Sequence, residues 1–357
     1  MRIIMHADLD SFYASAEEAR KELKGRPIVV CMFSGRTEDS GAVATANYLA
    51  RAAGIHAGMP IVNAKRMAEE KKLDAVFLPA DMDYYRMLSS KIMDLMQIYA
   101  DKFEQRSIDE AYMDVSSKVA YEKAAESANI IKGEIKNNFG ITCSIGIGPN
   151  KLIAKMASRS KKPDGLTVIK PEDVKDFLFK LPAGKIFGVG TKTKEKLEGM
   201  GIRTVEDLST KGLFELQETF GKKRGLFLYN ASRGLDDRPV ETVERQQISS
   251  IGTLKENTRN PETIKEKLYE LAEELHGKLL KEKKNFRSVS VILITENLET
   301  HTKSMTLDAA TNSLDAIKEK AVQLLDEFLK ETPAVLRRCG VRVSSLDDKR
   351  HLSLKEF

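Results

Sequence analysis

Residues 107–114 read SIDEAYMD, and two adjacent acids, Asp109 and Glu110, open an apolar stretch. Neighbouring side chains on a β-strand point to opposite faces, so adjacent acids serve one site only where the chain bends. The enclosing segment, KFEQRSIDEAYMDVS (102–116), has the form of a β-hairpin, which supplies such a bend. Taken alone, the pair describes a solvated hairpin tip equally well. Residues 2–10, RIIMHADLD, form a second apolar strand that ends in acids, with Asp8 and Asp10 alternating onto one face. Two acid-tipped strands can meet at one edge of one sheet. Asp8, Asp109 and Glu110 would then make an all-oxygen cage suited to Mg²⁺ or Mn²⁺. Three acids so close repel one another without a cation. Paired ions stabilise the attacking and leaving oxygens of a phosphoryl transfer, so the pattern points to a two-metal site.

The surrounding chain has 357 residues, 41% hydrophobic and 31% charged. That is enough for two to four compact units with buried cores and excludes wholesale disorder. No run is long and apolar enough to span a bilayer, and the early acids of MRIIMHADLD exclude a secretory signal. Cys31, Cys143 and Cys339 are far apart in apolar runs, so no disulfide or zinc framework is expected and a reducing cytoplasm fits. A net charge of +5 mildly favours a polyanionic partner.

Several elements follow from pattern. SFYASAEEARKEL (11–23) is an amphipathic helix with Asp10 or Ser11 as its N-cap. FSGRTEDSGAVATANYLARAAG (33–54) is a small-residue tract whose second half is helical. MDYYRMLSSKIMDLMQIYA (82–100) and AYEKAAESANIIKGEIKNNFG (120–140) are helices, ITCSIGIG (141–148) is a strand, and Asn150 caps a helix. Short helices with glycine turns follow, then a polar linker, ASRGLDDRPVETVERQQ (231–247). The remainder runs β-α-β-β-α-β, an antiparallel sheet with helices on one face. The fold class is therefore α+β and multidomain.

HADLDSFYASAEE, SGAVATANYLAR, AGMP, SIDEAYMDV, GIGPNK and SKKPDG occur in this order. Together they resemble the Y-family DNA polymerases, the translesion enzymes, in the DinB-like branch and in its archaeal members. The resemblance implies a right hand of palm (1–10 and 78–166), fingers (11–77) and thumb (167–232). A linker (233–245), a little finger domain (246–346) and a tail (347–357) would follow. It implies a low-fidelity, template-directed DNA polymerase without proofreading, acting on primer–template DNA and deoxynucleoside triphosphates. Asp8, Asp109 and Glu110 correspond to the family's metal-binding carboxylates, with the Leu9 carbonyl as a further ligand. Two Mg²⁺ ions are implied, with Mn²⁺ as a substitute. Asp10 and Asp114 are not carried over as ligands: Asp10 reads as a helix cap and Asp114 as a hairpin hydrogen bond.

The resemblance also assigns the substrate residues. Thr45, Tyr48, Arg51 and Lys162 hold the triphosphate, assisted by free N–H groups of the turn between Asp8 and Tyr13. Tyr48 and Arg51 are spaced to share a helical face. Tyr13 matches the steric gate that rejects a ribose 2′-hydroxyl. Phe12 is the rival aromatic, and helical geometry turns one ring to the sugar and the other to the core. Met32, Ala42, Ala44 and Gly58 would cover the nascent base pair, and the small size of three of them, Ala42, Ala44 and Gly58, leaves room for a damaged template base.

KIFGVGTKTKEKLEGMGI (185–202) resembles a helix-hairpin-helix in which Gly188 and Gly190 allow a tight turn against a DNA phosphate. Lys255, Arg259, Arg287, Arg337, Arg338 and Arg342 are candidate phosphate contacts of the last domain. His351, Leu354 and Phe357 have the spacing of a sliding-clamp motif, with His in place of Gln. The chain is expected to be monomeric. Two rivals remain: a nucleotidyl cyclase, which needs no DNA-gripping domains, and a catalytically inactive polymerase-derived scaffold, which would tend to lose an acid or a phosphate-binding residue.

Overall fold

The computed structural model describes residues 2–242 and 244–348. Contacts divide the chain into two units. Met1–Met32 and Ala42–Val243 form the first, and Phe33–Gly41 with the chain from Glu244 onward form the second.

Up to residue 242 the elements are, in order, β1 (Ile4–Leu9), α1 (Phe12–Lys21), β2 (Ile28–Phe33), β3 (Gly41–Ala46), α2 (Tyr48–Ala52), α3 (Ile61–Glu70) and β4 (Val76–Pro79). Next come α4 (Met82–Ile98), β5 (Lys102–Gln105), β6 (Glu110–Asp114), α5 (Ala124–Phe139), β7 (Cys143–Gly148), α6 (Lys151–Ser160) and β8 (Leu166–Val168). Short helices follow: α7 (Val174–Phe179), α8 (Thr191–Gly199), α9 (Val205–Ser209), α10 (Leu213–Phe220) and α11 (Lys222–Ser232). They share a core of their own that includes Leu178, Leu197, Leu208 and Leu228.

The site is built on a sheet of order β5-β6-β1-β7-β8, with β1 antiparallel to both β6 and β7. Alternation along β1 sends Met5, Ala7 and Leu9 into the core that α4 and α5 supply with Tyr85, Ile92, Ile131 and Ile135. Ile4, His6 and Asp8 take the other face, where Ile4 and Tyr112 pack with Ala154 of α6. The glycines of β7 permit this approach. A Cβ on Gly146 would lie 2.1 Å from Ala154 O and Ser158 N, so any side chain there would push α6 off the sheet.

A second sheet, of order β3-β2-β4, corrects the reading of the small-residue tract. GAVATA is strand β3, so the second half of the tract is helical only in part, and the helix after it, α2, spans only Tyr48–Ala52. Pairing overrides the helix preference of alanine: Val43 N–H donates to Met59 O, and Gly58 N–H donates to Val43 O, both at 2.8 Å.

The second unit contains β9 (Gln247–Thr258), α12 (Pro261–Lys281), β10 (Lys284–Thr295), β11 (Thr300–Thr311), α13 (Leu314–Glu331) and β12 (Leu336–Asp348). This is the β-α-β-β-α-β order read from the sequence. The sheet order is β11-β10-β12-β9, with every pair antiparallel. Leu268, Leu275, Leu324 and Phe328 of the two helices bury Val289, Val291, Val341 and Val343 on one sheet face. Asn260 and Ser313 accept from N–H groups at the starts of α12 and α13. Among the described residues no helix is long and apolar enough to cross a membrane. The proposed clamp motif, His351 to Phe357, lies outside the described residues.

Candidate active site

Glu110 opens β6 and is the direct antiparallel partner of Asp8 near the end of β1, so the two acids share a sheet face. Asp109 sits in the β5–β6 turn, where Leu9 N–H donates to Asp109 O at 2.8 Å. The same turn is closed by the N–H groups of Arg106 and Ser107, both donating to Glu110 O. The bend therefore lets two adjacent acids serve one place. Burial pushes the Asp109 carboxyl up, the Ser107 hydroxyl at 2.5 Å pulls it back, and the charges of Asp8 and Glu110 push it further up.

Two lysines attend these acids. Lys155 of α6 is almost fully buried, and its Nζ lies 2.5 Å from Glu110 Oε2. His6 Nε2 lies 3.6 Å from the same oxygen, and His6 Nδ1 shares a 2.8 Å hydrogen bond with Ser158 Oγ. Burial opposes the Glu110 charge, but His6 and the Lys155 ammonium overcome it and hold the carboxyl at about 2. Lys162 pairs with Asp8 and lies 3.7 Å from Asp10. Lys155 and His6 escaped the sequence reading. The available signal was a pair of lysines, Lys151 and Lys155, at i,i+4 on a helix whose other residues from Leu152 to Ser158 are mostly small or apolar.

Among the described residues no three His, Cys, Asp or Glu side chains are gathered into a closed metal cage. The donor set nevertheless fits a hard divalent cation. It is all oxygen, and Asp109 has a raised proton affinity partly because acids surround it, a repulsion that a cation relieves.

Asp10 does not cap α1. Ser11 occupies the cap position in a left-handed conformation, φ 42°, without a side-chain cap bond. The Asp10 N–H still pairs with Thr142 O across the sheet, which turns the Asp10 side chain toward β7 rather than the helix start. Its buried carboxylate accepts from Thr142 Oγ1 at 3.0 Å, Ser144 Oγ at 2.9 Å, Asp164 N at 2.8 Å and Tyr48 OH at 3.4 Å. Asp114 accepts from Ser116 N and Oγ, a turn bond just after β6. The N–H groups of Leu9 and Asp10 are already engaged, so donors at the helix start begin beyond Asp10.

Phe12 is buried in the core, whereas Tyr13 is half-buried and stacks on Tyr85 with ring centroids 4.5 Å apart at 11°. Burial raises the Tyr13 hydroxyl, and the Asp109 charge raises it further. Arg51 lies over the Tyr48 ring at 4.9 Å, so the two share a face of α2, and Arg51 Nε donates to Ala46 O. Burial and then the Asp10 charge push the Tyr48 hydroxyl up to about 12. Thr45 is on β3, one residue before Ala46. Ala42 and Ala44 share one face of β3, and Gly58 bonds to Val43 between them. Met32, half-exposed on neighbouring β2, completes the group.

Gly188 has φ +96°, and its carbonyl accepts from Arg224 Nη2 at 2.6 Å, so its turn does require glycine. Gly190 has φ −91°, which any residue adopts, so the second glycine is not demanded by the turn. In the second unit, Arg338 and Arg342 alternate with the core residues Cys339, Val341 and Val343 and therefore face away from the helices. Lys255 is exposed on β9, and Arg337 falls in the register irregularity between Leu336 and Arg338. Arg287 donates to Asp308 O. Arg259 is not on the open face: its Nη2 donates to Leu329 O and Thr332 O at the end of α13, where carbonyls lack helical partners.

Three family models match the chain: the impB/mucB/samB family over residues 7–159, the DNA polymerase-iota thumb domain over 184–236, and the impB/mucB/samB C-terminal domain over 245–355. DNA polymerase IV of Methanosarcina acetivorans is 45% identical, with 98% of this chain and 97% of the relative covered. DNA polymerase IV of Saccharolobus solfataricus is 40% identical, with 96% of each chain covered. Among solved structures, a Y-family DNA polymerase chimera of Dbh and Dpo4 superposes with a TM-score of 0.92 at 36% identity, covering 97% of this chain and 99% of that one. An insertion ternary complex of Dbh DNA polymerase matches at TM-score 0.71 and 36% identity, with the same coverage.

Proposed function

This chain belongs to the impB/mucB/samB family, the Y-family DNA polymerases, and on that premise we propose how its side chains divide the reaction. The protein is a low-fidelity, translesion DNA-directed DNA polymerase that extends a primer on a template with deoxynucleotides. Its catalysis depends on a divalent metal.

In our reading Asp8, Asp109, Glu110 and the Leu9 carbonyl hold two Mg²⁺ ions, with Mn²⁺ as a substitute. When bound, such ions supply Lewis-acid stabilisation to the attacking and leaving oxygens. Tyr48, Arg51, Thr45 and Lys162 bind and orient the triphosphate, with Lys162 drawn from Asp8 to the phosphates. Tyr13 excludes the ribose 2′-hydroxyl. Met32, Ala42, Ala44 and Gly58 leave space over the nascent pair. The turn at Gly188 and the open-face arginines Arg338 and Arg342 hold DNA by its phosphates, and exposed Lys255 and Arg287 with half-buried Arg337 add charge. We assign the palm to residues 1–10 and 78–166, the fingers to 11–77, the thumb to 167–232 and the little finger to 246–346. A cytoplasmic monomer without proofreading, reaching a sliding clamp through residues 351–357, completes the reading.

The observation that carries it is the direct pairing of Asp8 with Glu110, with Asp109 in the adjoining turn. A cyclase needs no counterpart of the C-terminal unit, and a scaffold would not need all three acids beside Lys162. Asp109→Ala and Glu110→Ala should abolish primer extension with Mg²⁺ while primer–template affinity is largely kept, because these acids hold ions rather than DNA. Robust extension by either variant would refute the assignment.

A further inference from the structure

The surroundings of Tyr13 extend beyond the ring itself. Tyr13 and Glu17 are four residues apart on α1 and share its face. Glu17 is fully buried, at 0% exposure. A carboxylate so placed persists only with well-aligned partners. It has two on one oxygen, Tyr85 OH donating to Glu17 Oε1 at 2.9 Å and Arg20 Nη2 donating to the same atom at 2.7 Å, while Lys21 Nζ forms an ion pair with Oε2 at 3.1 Å. Arg20 also reaches Asp81 at 2.9 Å, and Asp81 accepts from Tyr84 N at the start of α4. The network therefore joins α1 to the α4 terminus that carries Tyr85.

Tyr85 is fully buried and boxed by rings. Phe12 meets it at 62°, Tyr84 meets it at 61°, and Tyr13 lies flat on it at 11° and 4.5 Å. Ring packing confines the body of Tyr85, and the hydroxyl bond to Glu17 fixes its far end. The plane of Tyr85 is the floor on which the half-exposed Tyr13 ring rests.

We propose that Glu17 is a positioning residue for sugar selection: through its hydrogen bond to Tyr85 it sets the height and tilt of the Tyr13 ring beneath the sugar of the incoming nucleotide. This rests on the reading of Tyr13 as the steric gate. Rejection of a 2′-hydroxyl depends on a clash, and a clash is lost when the ring sinks by a fraction of an ångström. A purely structural role, clamping α1 to α4, would affect stability and leave selectivity unchanged.

The test is single-nucleotide insertion by the full chain with Mg²⁺, comparing kcat/KM for a deoxynucleotide and its ribonucleotide, alongside thermal melting. Tyr13→Ala should collapse the ratio. Tyr85→Phe, which removes only the hydroxyl, and Glu17→Gln should each lower it about tenfold, the scale of one lost hydrogen bond to a charged group. The deoxynucleotide kcat/KM should change little. Adding Glu17→Gln to Tyr13→Ala should cause no further loss of selectivity. An unchanged ratio in Tyr85→Phe and Glu17→Gln, beside a collapsed ratio in Tyr13→Ala, overturns the proposal and leaves the gate intact. An unchanged ratio in Tyr13→Ala overturns the gate reading and the proposal with it. If Glu17→Gln fails to fold, Tyr85→Phe decides alone.

Discussion

Lys155 Nζ lies 2.5 Å from Glu110 Oε2, beneath a carboxylate that is also the direct strand partner of Asp8. A helix packed on glycine thus sets a buried ammonium under one member of an acid pair. With His6, the pairing favours the ionised form of Glu110 against the burial that opposes its charge.

Lys155→Met should therefore leave Glu110 without its main counter-charge. Loss of one partner of a buried pair should cost about 2–3 kcal/mol here, because the Glu110 side is partly open. The pH dependence has a definite sign. The folded pKa of Glu110 is depressed to about 2, below the ordinary glutamate value. Its stabilisation is complete above the unfolded value and fades as pH falls toward 2. Melting curves with chelator present should show the deficit of the variant in full at neutral pH and shrinking through the carboxylate range. A deficit that does not vary with pH would mean that lost packing, not charge, causes it.

Asp10 joins β7, the 162–165 turn and Tyr48. Asp10→Asn keeps the volume but exchanges an acceptor oxygen for a donor, leaving at least one of these donors unpaired. The KM for deoxynucleotide should rise about tenfold, with kcat nearly unchanged, since a hydrogen bond to a charged group is worth about 1.5–3 kcal/mol. Primer–template affinity should stay as in the parent protein. Steady-state kinetics check the split, and Ser144→Ala should give a smaller effect of the same kind. An equal fall in kcat with KM unaltered would place Asp10 in the chemical step instead.

Arg338 and Arg342 stand on the sheet face opposite the helices. If each neutralises one phosphate, Arg338→Ala and Arg342→Ala should each reduce the slope of log affinity against log salt by about 0.9. Arg259→Ala should leave that slope unchanged and lower the melting temperature, because Arg259 serves the end of α13. Salt titrations of primer–template binding read both. Equal slopes in all three variants would make the open face a solvated surface.

What the sequence determined by itself was whatever depends on local order and spacing. The acids were legible because each cluster lies at one end of an apolar strand, and strand alternation is a two-residue rule. The C-terminal β-α-β-β-α-β order was legible because turns, caps and periodicity mark each element within a few neighbours. The spacing of Tyr48 and Arg51 likewise follows from the helical repeat. The tertiary structure decided what depends on contacts distant in sequence. GAVATA is a strand because β2 and the Gly58–Met59 segment pair with it, not because of its composition. Asp10 faces β7 because its N–H pairs with Thr142, 132 residues away, where the sequence offered only a helix start nearby. Gly190 lacks the left-handed dihedral of Gly188 and Arg259 turned to a helix end because backbone dihedrals and carbonyl partners are not written in residue type. Lys155 meets Glu110 and Tyr85 meets Glu17 only once α6 lies on β7 and α4 lies against α1. Burial then makes each of these polar contacts strong, since a charge removed from water must find its partner within the fold.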